Sequence, residues 1–292
     1  MRLSFGLVLI AVLAFSLLGT SCRGPRGFVT PYDSAAIREG RTAAEDRDML
    51  LARLRERAPY PTELWFRSRV NVRYEDRGGS DFFTAVVMYR EPDQVRLGGS
   101  RSPIGSLFDV LVIGEWVSLY FNRERQQFIG TTSDLAEKAG AAGALSPNEM
   151  LTAILVQQEL RRYLEGREPV LVRPRGEDHL LVATRQSPTG RQLFWLVRRQ
   201  DGLIEELVVR EPDRRGEIRV RYREYRLYEH PERPGEEPLP YRLDVLIPAE
   251  GIEVELRVTE YRLAPELTDR SFQPPQGREV YNLRDLAFEE AK

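Results

Sequence analysis

One cysteine, Cys22, and two histidines, His179 and His230, are all that 292 residues offer of the softer metal ligands. A single cysteine excludes an intramolecular disulfide and any multi-thiolate metal site, and two histidines are too few for a histidine-rich centre. No metal site and no cofactor is expected. Lysine is almost missing: Lys138 and Lys292 are the only two among 43 basic residues, an arginine bias that points to a GC-rich genome. Surplus charge is missing as well. With 43 Lys+Arg against 45 Asp+Glu, the net charge of −2 gives no electrostatic case for binding nucleic acid. Beyond the first 18 residues no apolar run approaches the roughly 18 residues needed to span a bilayer. What is present is a globular balance, 41% hydrophobic and 30% charged.

The most specific signal lies at the start. Met1-Arg2 carries one positive charge, Leu3 to Leu18 is uncharged and apolar, and Gly19-Thr20-Ser21 leads into Cys22. This is a signal peptide by its n-region, h-region and small-residue cleavage zone. The position of the sole cysteine resembles that of a bacterial lipoprotein signal, although Gly19 stands where a leucine is usual and Leu18 is one step further out. That resemblance implies that Cys22 becomes the first residue of the mature chain, carrying diacylglycerol, an N-acyl group and hence palmitate-type chains. The other reading is an ordinary secretory signal with an accidental cysteine. Arg23 follows and no acidic residue is there to suggest inner-membrane retention, so the expected location is the outer membrane, facing the periplasm.

Four segments are expected: a signal peptide over 1–21, lipidated Cys22 and a flexible Gly/Pro/Arg tether over 22–41, one folded domain over 42–277, and a tail with a short helix over 278–292. Thr42-x-x-Glu45 is a capping box that opens a helix to about Arg57, stopped by Pro59 and Pro61. Ser146-Pro147-Asn148-Glu149 is a second, opening a helix to about Glu165 whose apolar arc (Leu151, Ile154, Leu155, Val156, Leu160, Tyr163 and Leu164) is too broad for one lying against solvent. Gly140 to Ala144 before it reads as a hinge. Elsewhere strands dominate. Leu64, Phe66, Val70 and Val72 alternate with Trp65, Arg67, Arg69 and Asn71, the period of two of a half-buried strand. Segments around 82–91, 95–97, 107–113, 116–121 and 126–130 follow, and a meander from 169 to 263 is punctuated by Thr189-Gly190, Asp201-Gly202, Arg215-Gly216 and Glu250-Gly251. The fold class is mainly β (α+β): a large curled antiparallel sheet of about 11 strands, covered by an N-terminal and a mid-chain helix. Its concave face is either filled by the 146–165 helix as an ordinary core or encloses a cavity.

Trp65 to Val70, Phe83 to Leu97, Pro103-Ile104-Gly105-Ser106-Leu107-Phe108, Leu239-Pro240-Tyr241-Arg242-Leu243, Leu263 to Leu267 and Phe272-Gln273-Pro274-Pro275, in this order, resemble the LolA/LolB superfamily over roughly residues 43–277. The resemblance implies an unclosed β-barrel capped by helices whose apolar cavity takes acyl chains, in carriers and receptors of lipoproteins, carriers of other lipids, or sensors. It also implies lipid acyl chains or lipoproteins as partners, with a periplasmic carrier protein as a further one. On that basis the cavity lining is Leu64, Phe66, Val70, Val72, Val87, Val110, Val112, Leu119 and Phe121 from the strands, with Leu151, Ile154 and Leu155 from the helix. The same residues are core if no cavity exists. Ile104, Leu107 and Phe108 are either a protruding apolar loop or core.

Catalytic readings are weak. His179 follows Glu177-Asp178, yet no Gly-x-Ser-x-Gly elbow or second cysteine supplies a nucleophile, and both histidines read as turn or loop residues. Gly98-Gly99-Ser100-Arg101-Ser102 lacks the Gly-Lys-Ser/Thr ending of a phosphate cradle and reads as a loop. Arg219, Arg221 and Arg223 form a row that either docks an anionic surface or is solvated and meets acids across the sheet. The expectation is a non-enzymatic, membrane-anchored protein that binds acyl chains or lipidated cargo. The alternatives are an envelope sensor or scaffold with a filled core and, with little support, a hydrolase.

Overall fold

Alternating apolar residues build the sheet wherever the sequence holds a period of two. Strand β1 (Glu63–Tyr74) buries Leu64, Phe66, Ser68, Val70 and Val72 and turns the residues between them outward. Strands β2 (Gly79–Arg90), β3 (Gln94–Arg101), β4 (Gly105–Ile113), β5 (Trp116–Phe121) and β6 (Gln126–Thr131) follow as a meander of tight turns. The second meander comprises β7 (Val170–Arg175), β8 (His179–Thr184), β9 (Gln192–Arg198), β10 (Ile204–Arg210), β11 (Glu217–Glu229), β12 (Glu236–Ile247) and β13 (Ile252–Leu263). Its final strand, β13, returns to pair antiparallel with β1 and joins the two meanders into one sheet. The computed structural model describes residues 44–57, 62–75, 78–139, 153, 155–166, 170–184, 191–210, 217–229, 236–263, 265–275 and 279–285. Cys22, the tether, the Gly140–Ala144 segment, the second capping box, Leu151, Ile154 and His230 lie outside them.

The sheet has 14 strands in the order β14-β6-β5-β4-β3-β2-β1-β13-β12-β11-β10-β9-β8-β7, and its two edge strands do not pair with each other. It is the expected unclosed antiparallel sheet, with more strands than the expected 11. The strand that the sequence reading did not place is β14 (Glu279–Asn282), which pairs in parallel with β6. All four β14 residues are exposed, so they show no alternation for a sequence reading to catch. The tail expected over 278–292 thus begins with a strand, and the described start of its helix is a 3-10 turn, Leu283–Asp285. A bulge between Arg67 and Ser68 adds local bend and twist, which helps the sheet to curl.

Three helices lie among the described residues: α1 (Ala44–Glu56), α2 (Thr132–Ala139) and α3 (Val156–Glu165). Side chains from β1 to β13 form one apolar cluster with Leu50 and Leu54 of α1, Leu135 of α2 and the Val156, Leu160 and Leu164 stripe of α3. The stripe repeats every fourth residue, the spacing that puts side chains on one helical face. On the opposite face of the sheet Leu171, Ala183, Phe194 and Val208 stand opposite one another on β7, β8, β9 and β10, so these strands are buried on both sides.

The glycine-rich segment expected as a loop continues the strand expected from Val95: Gly98 to Arg101 form the second half of β3. Gly99 pairs with Phe108, and a Cβ on Gly99 would come within 2.1 Å of the Phe108 ring, which is buried edge-on to Phe83. The glycine is there for the ring, not for an anion. Gly99→Ala is therefore expected to destabilise the protein by about 1–3 kcal/mol in urea unfolding. Adding Phe108→Leu should cost less in the Gly99→Ala background than in the wild type, and equal costs would refute the contact.

Candidate functional site

The concave face gathers every expected lining residue that can be located. Leu64, Phe66, Val70, Val72, Val87, Val110, Val112, Leu119 and Phe121 belong to the single apolar cluster, and so does Leu155, immediately before α3. None of them is more than 5% exposed, and Leu64 and Val72 are at 0%. Side chains this tightly covered leave little room beside them for a water-sized sphere. The interior is therefore closed in this conformation, with α1 and α3 packed together over it.

Arginines fasten those helices. Arg47 of α1 donates to the Leu164 carbonyl at 2.7 Å, and Arg55 meets Glu165 at 3.0 Å. Asp46 accepts from Arg199 at 2.7 Å, while Arg53 donates to the Arg199 carbonyl in the β9–β10 turn. Arg57, just after α1, donates to Gln157 Oε1 of α3 and to the Asp201 carbonyl. From the other side, Gln157 donates to the Pro238 carbonyl at 3.3 Å and Tyr222 donates its hydroxyl proton to the Ala153 carbonyl at 2.8 Å. These contacts tie α1, the start of α3 and β12 together around one buried polar cluster.

Glu237 on β12 is the acid of that cluster. Burial pushes its carboxyl up to about 7 from 4.5, with the positive charge of Arg57 acting in the opposite direction. Burial lowers the Arg57 guanidinium, with Glu237 acting to raise it. Because the folded state holds the Glu237 proton more tightly than the unfolded chain, this group costs stability as pH rises from about 4.5 to 7, by about 3 kcal/mol once fully ionised. Glu237→Gln is expected to melt higher than the wild type at pH 8 and to match it near pH 4. A constant difference between the two proteins across that range would rule this account out.

The remaining candidates separate. His179 opens β8 with Nε2 3.0 Å from Glu205 of β10, an ion-pair geometry on the sheet surface. Of the three residues considered for a protruding loop, Ile104 is 61% exposed in the β3–β4 turn, whereas Leu107 and Phe108 are core. The arginine row meets acids: Arg221 reaches Glu206 at 3.2 Å, Arg223 reaches Asp244 at 3.4 Å, and Arg219 reaches Glu217 of its own strand at 2.5 Å. A cleft of about 580 Å³ opens where β11 runs on past the start of β10, lined by Arg198, Arg221 and Arg223 and by Glu205, Glu206 and Glu224. Its charges balance, and Leu196, Leu203, Tyr222 and Tyr225 complete the lining.

By sequence, no family model and no curated protein matches the chain. Solved structures do match by shape. A LolA superfamily protein from Nitrosomonas europaea superposes with a TM-score of 0.52 at 11% identity, covering 80% of this chain and 99% of that one. The chain has a LolA-like fold. A DUF1329 family protein from Desulfovibrio piger gives a TM-score of 0.56 at 12% identity over 80% and 98% of the two chains. A domain from Vibrio parahaemolyticus, described as an outer membrane lipoprotein-sorting protein, gives 0.53 at 8% identity over 79% and 97%. At such identities the likeness is one of fold.

Within the LolA-like fold of this chain, two features escaped the sequence reading. Helix α2 opens with Thr131 and Asp134 capping each other: the Thr131 amide donates to Asp134 Oδ2 at 2.9 Å, and the Asp134 amide donates to Thr131 Oγ1 at 3.1 Å. That Thr-x-x-Asp pattern was available as a signal. The hydrogen bond from Arg284, with those from Thr131, holds the Asp134 carboxyl down to about 2 and ties the C-terminal turn to α2. The Arg57–Gln157–Glu237 cluster had no such signal, because buried charges look like surface charges in sequence.

Proposed function

We propose that this protein is a non-enzymatic lipoprotein of the bacterial envelope, anchored through acylated Cys22, that binds acyl chains or lipidated cargo in lipoprotein or lipid transport to the outer membrane. The observation that carries this reading is the sheet itself: 14 strands left unclosed, with a continuous apolar concave face covered by α1 and α3. The kinship of shape with a LolA superfamily protein and a lipoprotein-sorting domain supports it. Binding is partition. A chain of about 15 methylenes gains at most ~12 kcal/mol on leaving water, and a membrane offers nearly the same. The protein's role is then to hold chains with an affinity set between donor and acceptor, opening when α3 moves off the sheet.

A second reading, an envelope sensor or scaffold with a filled core, is favoured by the near-zero exposure of the lining residues. One experiment separates the two. The chain carrying Cys22→Ala, exported behind a cleavable secretory leader, is purified from the periplasm and examined by native mass spectrometry with organic extraction. A stoichiometric acylated species supports the carrier and names its cargo class. A clean apo mass, with no displaceable uptake of a fluorescent fatty acid, leaves the scaffold reading.

A further inference from the structure

Two polar atoms on the concave face are buried without a hydrogen-bond partner: Ser68 Oγ of β1 and Trp195 Nε1 of β9. A serine hydroxyl can rotate towards any nearby carbonyl. An indole N–H is fixed in the plane of its ring and only donates, so Trp195 is the more telling of the two. Its side chain is 0% exposed and belongs to the apolar cluster, between Val182 on β8 and Leu207 on β10. The ring of Tyr163, on α3, lies over it with centroids 5.4 Å apart. A buried donor left unpaired opposes folding, and phenylalanine would fill most of the same space without that cost. The donor is therefore best understood as serving a state in which an acceptor is present. Because α3 covers the ring, the movement that admits a chain is also the one that uncovers the N–H.

Resting on the acyl-binding reading above, we propose that Trp195 Nε1 donates to the ester carbonyl of a bound lipid, so that the interior selects esterified acyl chains over chains without a carbonyl. The chemistry narrows the acceptor. It must sit at the end of an apolar run, since Trp195 lies within the apolar cluster. It must also be neutral, since a carboxylate taken into such a site without a counter-cation loses far more solvation than one N–H returns. An ester carbonyl meets both conditions. Diacylglycerol and the diacylglyceryl group of a lipoprotein both supply it.

The test uses the exported Cys22→Ala chain and displacement of a fluorescent fatty-acid probe. The competitors are 1,2-dipalmitoylglycerol, its dihexadecyl ether analogue and an S-dipalmitoylglyceryl-cysteine peptide. The wild-type interior is expected to take the diester roughly fivefold more tightly than the diether, the worth of one hydrogen bond. Trp195→Phe should weaken the diester alone and erase the difference. Comparing the peptide with free diester shows which source is preferred. Should Trp195→Phe fail to fold, the indole proton resonance of Trp195 in the otherwise unaltered chain gives the same answer, moving downfield with diester and not with diether. Equal binding of diester and diether, or a preference that survives Trp195→Phe, overturns the proposal and leaves the acyl-binding reading standing. Binding of none of the three overturns both.

Discussion

Replacing Cys22 by alanine is expected to abolish incorporation of labelled palmitate and, with a cleavable secretory leader in place, to move the protein from the membrane to the soluble periplasmic fraction. The effect is all or none because the chain has no other cysteine to accept a diacylglyceryl group. Among the described residues no helix is long and apolar enough to cross a membrane. Each buried methylene contributes about 0.8 kcal/mol, so one acyl chain binds only marginally while two or three hold a protein in place. Label retained in the alanine variant would mean that acylation occurs elsewhere or not through a lipoprotein pathway. A membrane-bound but unlabelled variant would point to the exposed apolar side chains, Ile104 at 61% and Leu227 at 66%, as a docking surface in its own right.

How far the sequence went can be judged from particular residues. Strand β1 was legible because Leu64 to Val72 alternate with polar residues on a strand wetted on one face only. Helix α1 was legible because a capping box at one end and two prolines at the other leave few alternatives. The start of β3 was legible at Val95 and Leu97, but its second half was hidden behind Gly98 and Gly99, since glycine signals a turn unless the reader knows that the ring of Phe108 needs the space. Strand β14 was hidden because parallel pairing with β6 depends on backbone groups and leaves all four side chains exposed. The interior was harder still. Alternation shows which side chains turn inward, but whether they meet a helix or a ligand depends on what lies across from them, and the answer is α1 and α3 in the closed state. The cluster of Arg57, Gln157 and Glu237 depends on contacts across 80 residues or more of sequence, beyond any local pattern.

Leu160→Ala is expected to lower stability by about 3 kcal/mol and, at the same time, to raise the apparent affinity for a fluorescent fatty acid by up to about a hundredfold. Leu160 is 0% exposed at the centre of the α3 stripe that faces the apolar cluster. If the concave face is a binding site that α3 plugs when empty, the helix and the chain compete for the same surface. Measured affinity is then the intrinsic affinity multiplied by the fraction of molecules in which the plug is out. Contacts removed from the plug are lost by the closed state alone, so the cost in stability returns as affinity. A protein whose interior is simply a core has no such exchange and would only melt earlier. General loosening is separated from plug release by Val208→Ala, a truncation in the buried cluster on the opposite face of the sheet. This variant should lose stability without gaining affinity. A gain shared by both variants would show that any destabilised molecule takes up the probe. A gain in neither, beside a melting point lowered in both, would leave α3 as a permanent part of the core and remove the moving helix from the mechanism.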